Sequence, residues 1–305
     1  MKITRKIKEI LSFYENENAG VKTNMARILG SGRTGGTGKL VIYPVDQGLE
    51  HGPDASFAPN PAAYDPEYHY KLAIDSGCSA FASTFGFLSA CSETFAGQIP
   101  TILKVNSANL INKSVPNQAV TGSVKDALRL GCSAIGFTVY PASSASYEMY
   151  EEIAEMSREA KSHGLAVVIW SYPRGEGLSK QGETALDICS YAAHIAANLG
   201  ANIIKVKPPT AHIELEKNQK LLAGKDFSSL SKRIEHVVKA CFNGRRVVVF
   251  SGGESKDTAG LLNEVRELRD GGANGSIIGR NTFQRPRDES ITLLNDIMDI
   301  YLGKK

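Results

Sequence analysis

The chain of 305 residues is poor in cysteine: Cys78, Cys91, Cys132, Cys189 and Cys241 are an odd number at wide spacing, with no CxxC pair. That excludes a dense disulfide framework and fits reduced thiols in a cytoplasmic protein. Long apolar runs are also missing. No window approaches the ~18 consecutive apolar residues of a membrane span, and the opening MKITRKIKEI is basic without the apolar core of a signal peptide. There are no blocks of like charge either, because 35 basic and 32 acidic residues, net +3, are spread along the chain. Neither a nucleic-acid partner nor a membrane partner is expected from that distribution. The six histidines (His51, His69, His163, His194, His212 and His236) form neither HxH nor HExxH. A metal-dependent aldolase or hydrolase needs several ligands on strand ends, and only His51 is well placed, so no metal and no other cofactor is expected.

What the chain does have is a recurring join of helix end, glycine and short apolar strand. Gly77-Cys-Ser-Ala runs into Phe81-Ala-Ser-Thr, Gly131-Cys-Ser-Ala into Ile135-Gly-Phe-Thr, and Gly200-Ala-Asn into Ile203-Ile-Lys-Val. Gly272-Ala-Asn, Gly164 and Gly244 precede the stretches at Gly275, Ala166 and Arg246 in the same way. Glycine suits a helix C-terminus because it takes the left-handed conformation without a Cβ clash. Helical periodicity precedes the joins: Met149, Ile153, Met156 and Ala160 form one face, Ile188, Ala192, Ile195 and Leu199 a second, and Ile234, Val237, Val238 and Cys241 a third. Strands are predicted near 40–45, 80–84, 100–105, 134–139, 166–171, 202–207, 246–250 and 275–279. Eight apolar strands alternating with helices predict an α/β fold, a (β/α)8 TIM barrel over 39–305, with a doubly wound open sheet as the other architecture.

Residues 1–38 read as a short N-terminal helical extension, with Ile3, Ile7, Ile10 and Leu11 on one helical face and a glycine-rich linker from Gly30 to Gly38. Gly30-Ser-Gly-Arg-Thr-Gly35 formally matches GxGxxG, but it leads into a strand, whereas a dinucleotide loop follows a strand and opens a helix. A Walker A match fails as well, with Arg33 at its first glycine and Leu40 after Lys39.

In a barrel the chemistry sits at the C-terminal strand ends, and the unusual polar residues collect there. Strand 1 ends in Val45-Asp46-Gln47-Gly48 and continues Leu49-Glu50-His51-Gly52-Pro53; strand 3 carries Lys104 and Asn106. Strand 5 ends in Trp170-Ser171-Tyr172-Pro173-Arg174-Gly175, and strand 6 holds Lys205-Val206-Lys207. Lys205 and Lys207 share a side because strand side chains alternate. Facing inward, they would crowd two ammonium groups in a partly dry space and lower an amine pKa towards a neutral nucleophile; facing outward, they would simply be solvated. Tyr172 is a candidate proton carrier, while Trp170 reads equally as an apolar wall and as core. Ser251, Gly252 and Gly253 after strand 7, with Gly279 and Arg280 after strand 8, fit the phosphate position of many barrels. Arg174 and Lys104 are candidates for a second anionic end of a substrate, and His51 lies on the same rim.

Together these pieces resemble the archaeal-type class I fructose-bisphosphate aldolases, from about residue 40 to the C-terminus. The resemblance rests on Val45-Asp-Gln-Gly-Leu-Glu-His-Gly-Pro53, Gly136-Phe-Thr-Val-Tyr-Pro141, Trp170-Ser-Tyr-Pro-Arg-Gly175, Ile204-Lys-Val-Lys207, Ser251-Gly-Gly253 and Gly279-Arg-Asn281. It implies a metal-independent lyase acting on a phosphorylated sugar, with Lys205 rather than Lys207 as the Schiff-base lysine. By the same likeness Tyr172 is the catalytic tyrosine, Trp170 the tryptophan beside it, and Asp46 the strand 1 carboxylate. Ser251, Gly252, Gly253, Gly279 and Arg280 correspond to the phosphate loops, and Arg174 to a ligand of the far phosphate. A homo-oligomer is also implied. The chain departs from the pattern at Gln47, where archaeal members usually carry histidine, and at Pro208-Pro209-Thr210 with the charged segment 210–228. A related phospho-sugar aldolase, a transaldolase-like enzyme or a thiolase on the same barrel is the alternative.

Overall fold

The computed structural model describes residues 3–252 and 257–305. Eight parallel strands close into a barrel: β1 (Leu40–Val45), β2 (Ala80–Thr84), β3 (Thr101–Lys104), β4 (Ala134–Val139), β5 (Ala166–Ser171), β6 (Ile203–Val206), β7 (Val247–Ser251) and β8 (Gly275–Ile277). Each strand pairs with the next in sequence, and β8 returns to pair with β1. The predicted (β/α)8 barrel is therefore present, and the open sheet is not. All six glycines at the helix-to-strand joins have positive φ: Gly77 at 75°, Gly131 at 68°, Gly164 at 80°, Gly200 at 93°, Gly244 at 78° and Gly272 at 88°. A β-carbon at these angles would be strained, which is why the motif repeats.

Alternation along each strand divides the core in two. Tyr43, Phe81, Leu103, Phe137, Ile169, Ile204 and Phe250 point outward and pack under the helices. Ile42, Ala82, Ile102, Val168, Trp170, Ile203 and Val249 point inward and fill the barrel. Lys205 lies between the outward Ile204 and Val206 in β6, so it shares the inner side with Ile203. Its register neighbours are Trp170 on β5 and Val249 on β7. Trp170 fits because Gly136 on β4 leaves room for its ring: a β-carbon there would stand 2.1 Å from the indole.

Residues before β1 close the opposite end of the barrel. Two helices, α1 (Arg5–Ser12) and α2 (Ala19–Gly30), begin at Thr4 and Asn18, whose side chains accept hydrogen bonds from the backbone N–H of Ile7 and Val21. Such caps satisfy donors that the first turn leaves unpaired. Ile7, Ile10, Val21, Met25, Ile28 and Leu29 join the inward core, below Leu40, Ala80 and Val247. The Tyr14 hydroxyl donates to Asn202 O at 2.5 Å and accepts from Val247 N–H at 2.9 Å, tying the segment to the starts of β6 and β7. The second helix, α2, is not among the elements expected from sequence, although Val21, Met25, Ile28 and Leu29 stand at helical spacing. Gly30–Gly35 serves this junction, with Arg33 N–H bonded to Gly77 O at 2.8 Å and Thr34 Oγ1 to Ser79 Oγ at 3.1 Å. Among the described residues no helix is long and apolar enough to cross a membrane.

Candidate active site

A cavity of about 610 Å³ opens at the C-terminal strand ends. Asp46, His51, Tyr172, Arg174, Lys205, Ser251, Gly252, Gly279 and Arg280 all line it. Gly253 lies outside the described residues. The strand ends thus gather most of the candidates that the sequence scatters over more than two hundred positions.

Lys205 is 6% exposed. Its Nζ stands 5.4 Å from the centre of the Tyr172 ring and 6.0 Å from that of Trp170. Burial lowers its pKa to about 8; Asp46 and Glu50 oppose the shift, while Lys104 and Arg280 add to it. The physical reason is that an ammonium loses hydration in the barrel mouth and the neighbouring carboxylates restore only part of that stabilisation. Of the two orientations open for Lys207, the geometry matches neither crowding against Lys205 nor plain solvation. The strand ends at Val206, and Lys207 turns to Glu183, with Nζ to Oε2 at 3.5 Å. The cations acting most on Lys205 are Lys104 and Arg280 instead.

Lys104 also differs from its expected part. It is 1% exposed, donates to Asn106 O at 2.7 Å, approaches Asp46 Oδ2 to 3.8 Å and does not line the cavity. A side chain so enclosed meets the Asp46 carboxylate rather than an incoming phosphate. Trp170, 1% exposed, likewise stays out of the lining and packs beneath the Lys205 amine as part of the inner core. Of the two readings open for it, core packing is the one the geometry matches.

Asp46 precedes the short helix Gln47–His51, and Glu50 N–H donates to Asp46 O at 3.2 Å, so the two carboxylates sit one turn apart at the cavity edge. Glu50 stands within the strand 1 motif but has no role among the residues expected from sequence. Its i, i+4 relation to Asp46 was the available signal. Glu50 Oε1 is 3.7 Å from Arg174 Nη1 and 4.0 Å from His51 Nε2. The Arg174 guanidinium lies 5.7 Å from the Tyr140 ring and 5.7 Å from the Tyr172 ring. Burial, Arg280 and Arg174 push the His51 pKa down against the pull of Glu50 and Asp46, which favours neutral imidazole. The Tyr172 phenol is driven well above its ordinary value, first by burial and then by Asp46 and Glu50, so it keeps its proton at any working pH.

The described residues that directly follow β7 and β8 meet across the other side. Asn281 Nδ2 donates to Gly252 O at 3.4 Å, and Asn281 itself lines the cavity. It was legible only as the residue after Arg280. Lys180, Glu183 and Lys207 line the remaining edge; Lys207 stands out in the sequence beside Lys205, whereas nothing in the local sequence distinguishes Lys180 and Glu183 from surface charge.

Residues 40–285 match the family described as DeoC/LacD family aldolase. The chain is 38% identical over 307 residues to a probable fructose-bisphosphate aldolase class 1 of Chlamydia muridarum, covering 94% of this chain and 86% of that one. It is 35% identical over 249 residues to a fructose-bisphosphate aldolase class 1 of Thermoproteus tenax, covering 81% of this chain and 84% of that one. Among solved structures it resembles an archaeal fructose-1,6-bisphosphate aldolase with its catalytic lysine covalently bound to the carbinolamine intermediate of the substrate. That likeness has a TM-score of 0.73 and 33% identity, over 87% of this chain and 95% of the other.

Proposed function

Because the chain belongs to the DeoC/LacD family of aldolases, and within it resembles the class 1 fructose-bisphosphate aldolases, we propose that it is a Schiff-base lyase that reversibly cleaves fructose 1,6-bisphosphate, with Lys205 as the nucleophile. The products are dihydroxyacetone phosphate and glyceraldehyde 3-phosphate. The observation that carries the assignment of Lys205 is its burial at the cavity base with a pKa near 8, against a carboxylate and a protonated phenol. On the same likeness we read the enzyme as a cytoplasmic homo-oligomer.

The chemistry follows in order. Neutral Lys205 attacks the C2 carbonyl of the open-chain sugar, and loss of water leaves an iminium. The C3–C4 bond breaks, its electron pair moves to the iminium nitrogen to give an enamine, and Asp46 accepts the proton of the C4 hydroxyl as the aldehyde leaves. Protonation at C3 and hydrolysis release dihydroxyacetone phosphate. Tyr172 carries protons to and from the nitrogen and oxygen at C2, a part that suits a phenol held protonated. Ser251, Gly252, Gly253, Gly279 and Arg280 hold the near phosphate, which fixes C2 beside Lys205. Arg174 takes the far phosphate, His51 lines its approach, and Trp170 supports the amine from below.

The test is borohydride reduction in the presence of dihydroxyacetone phosphate, followed by peptide mass mapping. The three-carbon adduct is expected on Lys205, and it should survive exhaustive chelation because the iminium, not a metal, is the electron sink. An adduct on another lysine, or a trap that needs added zinc, contradicts the reading.

A pH profile follows from the same site. The attacking form is the free amine, so kcat/KM should rise with pH and level off above about 8, the value to which burial lowers Lys205. A profile flat from about pH 6 to about 9 would mean that the amine does not limit the reaction.

A further inference from the structure

The far edge of the cavity carries an anion of the protein's own. Glu183 sits between two lysines, one to each oxygen: Lys180 Nζ lies 3.2 Å from Oε1 and Lys207 Nζ 3.5 Å from Oε2. All three side chains line the cavity, as does Arg174. Lys180 reaches in from solvent, whereas Lys207 is largely covered. Burial and Arg174 lower the Lys207 pKa while Glu183 raises it, which is the signature of crowded cations relieved by one carboxylate.

The arrangement is built rather than incidental. Glu183 lies in the short 3-10 turn Gly182–Thr184, and the segment following Lys207 is fastened to that turn. Thr210 N–H donates to Thr184 O at 2.7 Å, and Leu186 N–H donates to His212 O at 2.8 Å. Glu214 accepts from Ser179 N–H and Ser179 Oγ, both at 2.9 Å, on the other side of the same turn. Asp187, 3% exposed, accepts from the backbone N–H of Glu214 and Leu215 and anchors the loop from below. Lys207 follows Lys205 by two residues, about 7 Å along an extended chain, which is the order of length separating C2 of an extended ketohexose from its last phosphate.

Building on the aldolase reading above, we propose that Glu183 is an internal stand-in for the substrate's far phosphate, and that its displacement sets how strongly the enzyme prefers a phosphorylated aldehyde end over an unphosphorylated one. A carboxylate in a cationic pocket offsets the repulsion between the lysines when the site is empty. It also competes with the incoming dianion, since phosphate gains the two ammonium groups only when Glu183 releases them. Glu183 acts here as a specificity residue and touches no reacting atom.

Glu183→Gln removes the charge and keeps the shape. With fructose 1,6-bisphosphate and fructose 1-phosphate compared in cleavage, KM for the bisphosphate should fall about fivefold relative to the monophosphate, the weight of one partly screened ion pair. Glyceraldehyde 3-phosphate against glyceraldehyde in condensation should shift by the same ratio. An unmoved ratio, or one favouring the monophosphate, overturns the proposal. Glu183→Asp retains the charge and should stay near wild type; a shift as large as that of the Gln variant would mean a structural effect and would also overturn it. Borohydride trapping of dihydroxyacetone phosphate separates the two levels. Without an adduct on wild-type Lys205 the Schiff-base reading itself falls, whereas an adduct with an unmoved ratio removes only the part assigned to Glu183.

Discussion

A Lys205→Met variant is expected to lose turnover by at least about 10⁴-fold and to give no borohydride-trapped adduct, because the covalent route disappears with its nucleophile. Methionine keeps the length and apolar stem of the side chain, so the packing against Trp170 and Val249 should survive. Neither of the two lysines nearest to it in the site, Lys104 and Lys207, is ready to replace it. Lys104 is enclosed and turned to Asn106 O and Asp46, while Lys207 lies past the strand end and is held by Glu183. Lys207→Met should therefore still give an adduct on Lys205. Trapping rates and mapped peptides from the two variants decide the matter, and an adduct on Lys207 in the Lys205→Met protein would move the catalytic position by two residues.

Tyr172→Phe should lower kcat by about 10²–10⁴-fold, the usual weight of a positioned proton carrier, with much less change in substrate binding. The ring is retained, and with it the contacts to the Lys205 and Arg174 cations. On the proposed assignment, ground-state binding rests on the phosphate-holding residues after β7 and β8, which the substitution leaves alone. Trapping at Lys205 should persist at a reduced rate, with water as the slower proton carrier. Steady-state kinetics alongside trapping rates give the answer: a near-normal kcat would take Tyr172 out of the catalytic set and leave Asp46 as its main member.

Both variants draw on residues whose positions are legible in the sequence. The strand order placed Asp46, Tyr172, Lys205, Ser251 and Arg280 at one rim, because in a barrel every strand points the same way and each loop after a strand opens on the same face. The direction of Lys205 was not legible in the same way. Alternation says that it shares a side with Ile203, but which side faces inward is decided by closure of the sheet and by Trp170 and Val249 across the register.

Local pattern alone determined the number of barrel strands, their bounds to within a residue or two, the helix ends at six left-handed glycines and the rim that carries the polar residues. Those are matters of periodicity, backbone conformation and chain direction, which neighbouring residues settle among themselves. Tertiary structure decided which charges meet. Lys104 turned from the substrate to Asp46, Lys207 was drawn off Lys205 by Glu183, and Glu50 took Arg174 and His51, all through contacts between separate strand ends. It also decided that α1 and α2 seal the barrel floor, where Tyr14 reaches Asn202 and Val247 across roughly two hundred positions of chain. The physical reason is the range of the forces involved: helix and strand preferences act over a few residues, whereas burial and charge pairing depend on distance in space, which only the closed barrel sets.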